Sequence, residues 1–227
     1  MKTVLVTGGT KRIGKAIATR LRADGWRVVT SSHRADAGAD LVADLAEPMG
    51  AAKLYAATLQ LLGGNPPDAL VNNAALFTGD DAAVRAVGCE APKKLTLMMA
   101  GRETGVGSVV NVLDAAVSAA ECGTASCSSS VYREAKRDLR AFTLSSAMMF
   151  AASLRVNAVE PGAVLVPEGL HESAGERLLE HRPTPEDVAD AVAFLLDARA
   201  TTGCIIPVDG GRLPESVPSV PSRTTGE

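Results

Sequence analysis

An apolar strand that runs straight into a glycine-rich turn and out into a helix is the tightest constraint in this chain. Lys2-Thr3-Val4-Leu5-Val6 is short and apolar and reads as a buried strand. Thr7-Gly8-Gly9-Thr10-Lys11-Arg12-Ile13-Gly14 follows at once. Beyond the turn, Ile13, Ile17 and Leu21 recur at helical spacing with Ala16 beside them, and Gly25 closes the segment. Gly8 lets the chain turn where a Cβ would clash, and Gly14 lets the helix lie close on the strand. The N–H groups that open such a helix have no partner within it, so they can face an anion such as a pyrophosphate. A tight turn with no ligand is the other reading of the same residues.

The rest of the chain repeats this alternation. Arg27–Thr30 and the short Leu41-Val42 read as strands, and Ala51–Leu62 as a helix on the spacing of Leu54, Thr58 and Leu61. Gly63-Gly64-Asn65-Pro66-Pro67 breaks the chain before a strand at Asp68–Val71, which runs into Asn72-Asn73-Ala74-Ala75. A helix is expected over Ala82–Ala100, interrupted at Gly88 and Pro92, then a strand at Ser108–Leu113 and a loop over Ser118–Ser130. Tyr132–Ala151 has a long helical pattern, and Arg155–Val159 is a strand that stops at Pro161-Gly162. Pro185–Leu196 is amphipathic with Val188, Val192 and Leu195 on one stripe; Cys204–Val208 is a last strand before Asp209-Gly210-Gly211. Strands alternating with helices imply an α/β fold: a single Rossmann-type doubly wound parallel sheet with helices on both faces. Residues 1–213 are read as one domain and 214–227 as a Pro/Ser-rich C-terminal tail. Aromatic residues make up only 3% of the chain, so Ala, Val and Leu must fill its core.

Several classes are disfavoured. A net charge of −3 argues against a nucleic-acid partner, which a basic face would serve. No run of 18 apolar residues exists, so no membrane partner is expected. The opening apolar run is too short for a secretion signal, which implies a cytoplasmic protein whose Cys89, Cys122, Cys127 and Cys204 stay reduced. Cys122 and Cys127 have no second Cys/His pair at matching spacing, so no metal site is expected.

The end of the second strand bears on cofactor choice. A dinucleotide site that takes NAD places a carboxylate there for the ribose 2′-hydroxyl. Here the stretch is Ser31-Ser32-His33-Arg34, and no acid appears before Asp36. Arg34, with Arg12 and His33 nearby, suits a 2′-phosphate instead, because a guanidinium binds phosphate through two parallel hydrogen bonds. The expected cofactor is therefore NADPH. Asp44-Leu45, after the third strand, would border the adenine. Tyr132 and Lys136 lie four residues apart, on one face of a helix. An ammonium beside a phenol favours phenolate and lowers the phenol's pKa, so the pair could pass a proton to a group being reduced.

Together these pieces resemble the short-chain dehydrogenase/reductase family over about residues 2–213. The likeness rests on the Thr7–Gly14 turn, Asn72-Asn73-Ala74-Ala75, Tyr132-x-x-x-Lys136, Arg155-Val156-Asn157-Ala158-Val159-Glu160-Pro161-Gly162 and Val208-Asp209-Gly210-Gly211. A narrower resemblance is to the pteridine reductases. It is carried by Lys11-Arg12-Ile13-Gly14, His33-Arg34, Phe77, Asp114 after Val110-Asn111-Val112-Leu113, and Pro161-Gly162-Ala163-Val164-Leu165.

The resemblance implies a small-molecule substrate, with a pterin reduced at a C=N bond. It implies that Tyr132 donates the proton while Lys136 holds the nicotinamide ribose and depresses the Tyr132 pKa. Asp114 would hydrogen-bond Tyr132 or a ring nitrogen, and Phe77 would form one wall of a stacking slot. Arg12 would serve both the pyrophosphate and the substrate. Gly8, Lys11, Ile13, Gly14, Asn73, Ala74, Ala75, Pro161, Gly162 and Val164 would complete the cofactor site. A homodimer or homotetramer is expected by the same likeness. The chain departs from the family pattern at Gly88, where an asparagine usually supports a water chain to the lysine. It also departs in the long stretch between Asp114 and Tyr132, where Ser118 is another candidate for the polar position. Two other readings stand beside the pterin one: reduction of a carbonyl in another small molecule, and an NADP-binding sensor with little turnover.

Overall fold

The computed structural model describes residues 1–77, 80–102, 105–115, 130–164 and 179–211. Seven strands form one sheet: β1 (Thr3–Thr7), β2 (Arg27–Ser32), β3 (Leu41–Val42), β4 (Ala69–Asn72), β5 (Gly107–Val112), β6 (Leu154–Pro161) and β7 (Ile205–Val208). Their order is β3-β2-β1-β4-β5-β6-β7 and every pairing is parallel. This is the doubly wound arrangement read from the alternating pattern. The strand order reverses at β1, which opens a crevice beyond the carboxyl ends of β1 and β4.

Side chains on the sheet alternate between two apolar layers, as the period of two requires. Val4 and Val6 join Ile17, Leu21, Val188 and Val192 on one face. Leu5 joins Leu54, Leu70, Leu95, Met99 and Leu154 on the other. The helices that supply these layers are α1 (Arg12–Ala23), α2 (Gly50–Leu61), α3 (Asp81–Arg85), α4 (Ala91–Ala100), α5 (Ser130–Met149) and α6 (Pro185–Asp197). Both faces of the sheet are thus covered, and α1 packs against α6.

Three stretches differ from the sequence pattern for identifiable reasons. β2 extends past Thr30 because Ser31 and Ser32 pair with Leu41 and Val42 of β3. β6 extends to Pro161, which pairs with Val208, and the ladder continues through the Gly162 N–H donating to the Val208 carbonyl. Gly88 and Pro92 do not break the helix expected over Ala82–Ala100. Asp80 caps its start by accepting from the Ala83 N–H, and a π-helical turn at Ala86–Glu90 links α3 to α4. Pro92 then falls in the first turn of α4, where a missing N–H costs little. The loop read over Ser118–Ser130 lies outside the described residues except for Ser130, which opens α5. Cys122, Cys127, Leu165 and the tail 214–227 lie outside them too.

The last helix is fixed at both ends. Thr184 accepts from the Asp187 N–H while the Asp187 carboxylate accepts from the Thr184 N–H, a reciprocal cap with Pro185 at the first helical position. At the other end the Arg155 guanidinium on β6 donates to the carbonyls of Leu195, Leu196, Ala198 and Thr201. The carbonyls of Leu195, Leu196 and Ala198 are among the acceptors that a helix C-terminus leaves without internal partners, and Thr201 lies just beyond.

Candidate active site

The crevice at the strand reversal has a phosphate end built from backbone. Gly8 sits at φ +63, and a Cβ on Gly14 would lie 2.2 Å from the Gly8 carbonyl oxygen and 2.5 Å from Asn73 Nδ2. Only glycine fits position 14, so α1 begins directly against the end of β1. Thr7 Oγ1 accepts from the N–H groups of Asn73 and Ala74 at 3.0 and 3.1 Å. Asn73 Nδ2 in turn donates to the carbonyls of Thr7 and Gly8 at 2.9 and 3.2 Å. The loop after β4, with Ala75 half-buried at its end, is thereby stitched to the glycine turn. Thr7 was not singled out from the sequence; the signal available was a hydroxyl at the buried end of β1, immediately before the glycines.

Two cations flank this turn. Lys11 and Arg12 are exposed while Ile13 packs against the core. Arg12 has φ +52, a left-handed conformation costly for a side-chain-bearing residue. Its guanidinium makes no ion pair with a described residue. A strained residue presenting an uncompensated charge beside open helix N–H groups is a fit for a phosphate.

At the end of β2, Arg34 and His33 are exposed as an incoming phosphate would need. Arg34 is nevertheless engaged: Nε and Nη2 donate to the two oxygens of Asp36 at 2.9 and 2.5 Å. That hydrogen bond, before any other cause, holds the Asp36 carboxyl below its ordinary pKa. Asp44 is exposed and its Oδ1 accepts from the Ala46 N–H. Leu45 is a core residue packed with Leu5 and Leu54, so its side chain is committed to the interior.

The other end of the crevice is built from side chains. The Tyr132 hydroxyl donates to Asp114 Oδ2 at 2.9 Å, across the 18 residues that separate them in sequence. Lys136 Nζ donates to the Val112 carbonyl at 2.7 Å and lies 5.9 Å from the centroid of the Tyr132 ring. Phe77 packs its ring 4.9 Å from that of Tyr132 with a 32° tilt. It is 58% exposed, so it is a wall of the crevice rather than core. Pro161 and Gly162 close the far side. A Cβ on Gly162 would lie 2.8 Å from Asp209 Cα, and the buried Val164 donates its N–H to the Gly162 carbonyl.

One expectation is corrected here. The Tyr132 phenol is not left with a depressed pKa despite the Lys136 ammonium nearby. Burial raises it well above 10, and the charge of Asp114 and the hydrogen bond to it act in the same direction. Lys136 is itself buried, which lowers its pKa to about 8. The phenol is thus held protonated and the lysine is the group nearest to titrating.

A polar network lies under these groups. Asn72 Nδ2 donates to Asn111 Oδ1, and Asn111 Nδ2 donates to Thr143 Oγ1, each at 2.8 Å. It ties β4 and β5 to the helix that carries Tyr132 and Lys136. Asn111 and Thr143 were not identified as site-supporting from the sequence, although an asparagine inside a fully buried strand was a visible signal. Gly88 sits on the π-helical turn facing this helix, and among the described residues a Cβ there would meet only Ala135 Cβ at 3.5 Å.

A phenol held protonated, a buried ammonium one helical turn away and a cation-flanked helix N-terminus can together bind a dinucleotide and deliver a proton beside it. Comparison with known proteins gives the same direction. The family described as enoyl-(acyl carrier protein) reductase matches residues 82–212. The chain is 32% identical to the ketoacyl reductase 2 assigned to the granaticin polyketide synthase of Streptomyces violaceoruber, over 91% of this chain and 94% of that protein. It is 28% identical to pteridine reductase 1 of Leishmania tarentolae, over 91% and 94% respectively. Among solved structures, a blue fluorescent protein from a metagenomic library in complex with NADPH superposes with a TM-score of 0.81 and 27% identity, over 92% of this chain and 97% of that one. The chain belongs to the short-chain dehydrogenase/reductase family of NAD(P)-dependent oxidoreductases.

Proposed function

We propose that this oxidoreductase uses NADPH to reduce a pterin, a dihydropterin or dihydrofolate-like ring, at a C=N bond. The observation that carries the reading is the Asp114 carboxylate accepting from the Tyr132 hydroxyl at 2.9 Å, with the exposed Phe77 ring stacked against the same tyrosine. An acid group and a flat aromatic wall side by side suit a planar heterocycle that has both ring nitrogens and a π-face. The similarity to a pteridine reductase supports it.

When bound, NADPH supplies the hydride. The chain's own groups do the rest. Helix-opening N–H groups and Arg12 would hold the pyrophosphate, and Arg34 would take the 2′-phosphate. Lys136 has one of its three N–H donors committed to the Val112 carbonyl, which leaves two for the ribose hydroxyls. Tyr132, kept protonated by burial and by Asp114, breaks its O–H bond to deliver the proton. The tyrosinate that remains is stabilised by the Lys136 ammonium. Asp114 can then turn to a ring nitrogen of the substrate.

Reduction of a carbonyl is the second reading, favoured by the similarity to a ketoacyl reductase. The same tyrosine would protonate an alkoxide. The two separate in one experiment: loss of NADPH absorbance with dihydrobiopterin, dihydrofolate and a panel of simple ketones. Turnover of pterins alone supports the first reading, and turnover of ketones alone replaces it with the second. A cytoplasmic homodimer or homotetramer is part of the same proposal, checked by light scattering and cell fractionation.

A further inference from the structure

We propose that Asp36 is a built-in competitor for Arg34 and so sets how strongly the chain prefers a phosphorylated dinucleotide over an unphosphorylated one. The inference rests on the reading that Arg34 receives the 2′-phosphate, and deepens it.

The pair is held by the loop around it. The Arg34 N–H donates to Ser32 Oγ at 3.1 Å, which anchors the arginine's backbone at the end of β2. A single 3-10 turn, Ala35–Ala37, carries Asp36 back beside it, and Gly38 at φ +66 ends the turn. Asp40 Oδ2 then accepts from both the N–H and the hydroxyl of Thr30 at 2.7 Å, closing the loop on β2. Asp36 is the residue this closed loop leaves facing the guanidinium, through two hydrogen bonds.

A guanidinium fork matches a carboxylate and a phosphate in the same two-point geometry. It cannot give the same two donors to both. A 2′-phosphate that takes the Nε–Nη2 edge must displace Asp36, and one that takes the other edge sits beside its carboxylate; in either case the carboxylate repels it. A dinucleotide with a free 2′-hydroxyl needs no such exchange. Arg34 and Asp36 are 62% and 68% exposed in their side chains, so the exchange carries no burial barrier and its effect is moderate.

The test is nucleotide binding without turnover, by calorimetry with NADPH and with NADH, on wild type, D36N, R34A and the double variant. D36N is expected to bind NADPH about three- to tenfold more tightly, the range for an exposed pair plus the removed repulsion, with NADH unchanged. In the R34A background the same substitution is expected to lose most of that gain. An unchanged or weaker NADPH affinity in D36N, or a gain that persists in full without Arg34, overturns the proposal. If R34A weakens NADPH selectively while D36N has no effect, only this inference fails. If R34A weakens NADPH and NADH equally, the assignment of Arg34 to the phosphate fails and the proposal falls with it.

Discussion

The two ends of the crevice are made of different materials. At the phosphate end the shape is backbone: Gly8 in a left-handed conformation, Gly14 with no room for a Cβ, and Asn73 and Thr7 pinning one loop to the next. Charge there lies on exposed cations. At the proton-transfer end the shape is side chain: Tyr132 and Lys136 are 2% and 3% exposed, and their protonation follows from that burial. The first end tolerates no added atoms. The second tolerates small changes of shape but no change of proton inventory.

The largest test of this contrast is Tyr132→Phe. Turnover is expected to fall by about 10²- to 10⁴-fold, the usual worth of a positioned proton donor, while NADPH affinity stays within about twofold of wild type. Loss of cofactor binding in that variant would mean the two ends are not separable. Gly14→Ala is the converse case. The Cβ collides with backbone on one side and Asn73 on the other, so a loss of about 1–3 kcal/mol in stability is expected, together with cofactor binding, read by thermal melting and by nucleotide titration.

A pH profile sharpens the proton-transfer end. The Lys136 pKa is lowered to about 8, so the ammonium is present below that value and lost as pH rises through it. The expected kcat/KM is flat below about pH 8 and falls about tenfold per unit above. A profile that breaks only near 10 would assign the transition to another group. The smallest effect is Arg12→Gly at the phosphate end. Relief of the positive φ is worth about 1–2 kcal/mol, partly offset by the freedom glycine gains when unfolded, for a net gain of about 1 kcal/mol. NADPH affinity is expected to fall in the same variant; a variant that binds as well as wild type would show that the strain serves something else.

The contrast also explains what could be read from the amino acids. The doubly wound parallel sheet was legible because strands alternate with helices along the chain, beginning with strand–glycine turn–helix, and because Val and Leu alternate cleanly along β1. Tyr132 and Lys136 were legible as types at a spacing, and Asp114 only through the family likeness. Their protonation was not, because it depends on how deeply Tyr132 is buried and on a carboxylate that the fold brings in from the end of β5. The π-helical turn at Ala86–Glu90 was hidden for another reason: apolar spacing reports which face is buried, and it does not report a local change of hydrogen-bond pitch. Thr7 was missed because its partners lie 66 and 67 residues away. The Arg34–Asp36 pair was missed although its members are near neighbours, since only the closed loop turns them toward each other.

The stitch between Thr7 and Asn73 has one more consequence. The glycine turn borrows its shape from the segment after β4. Grafting Thr7–Gly14 alone onto a foreign parallel sheet would therefore carry the residues without the conformation. The smallest transplantable unit comprises two adjacent strands and both their exits, inherited as a pair.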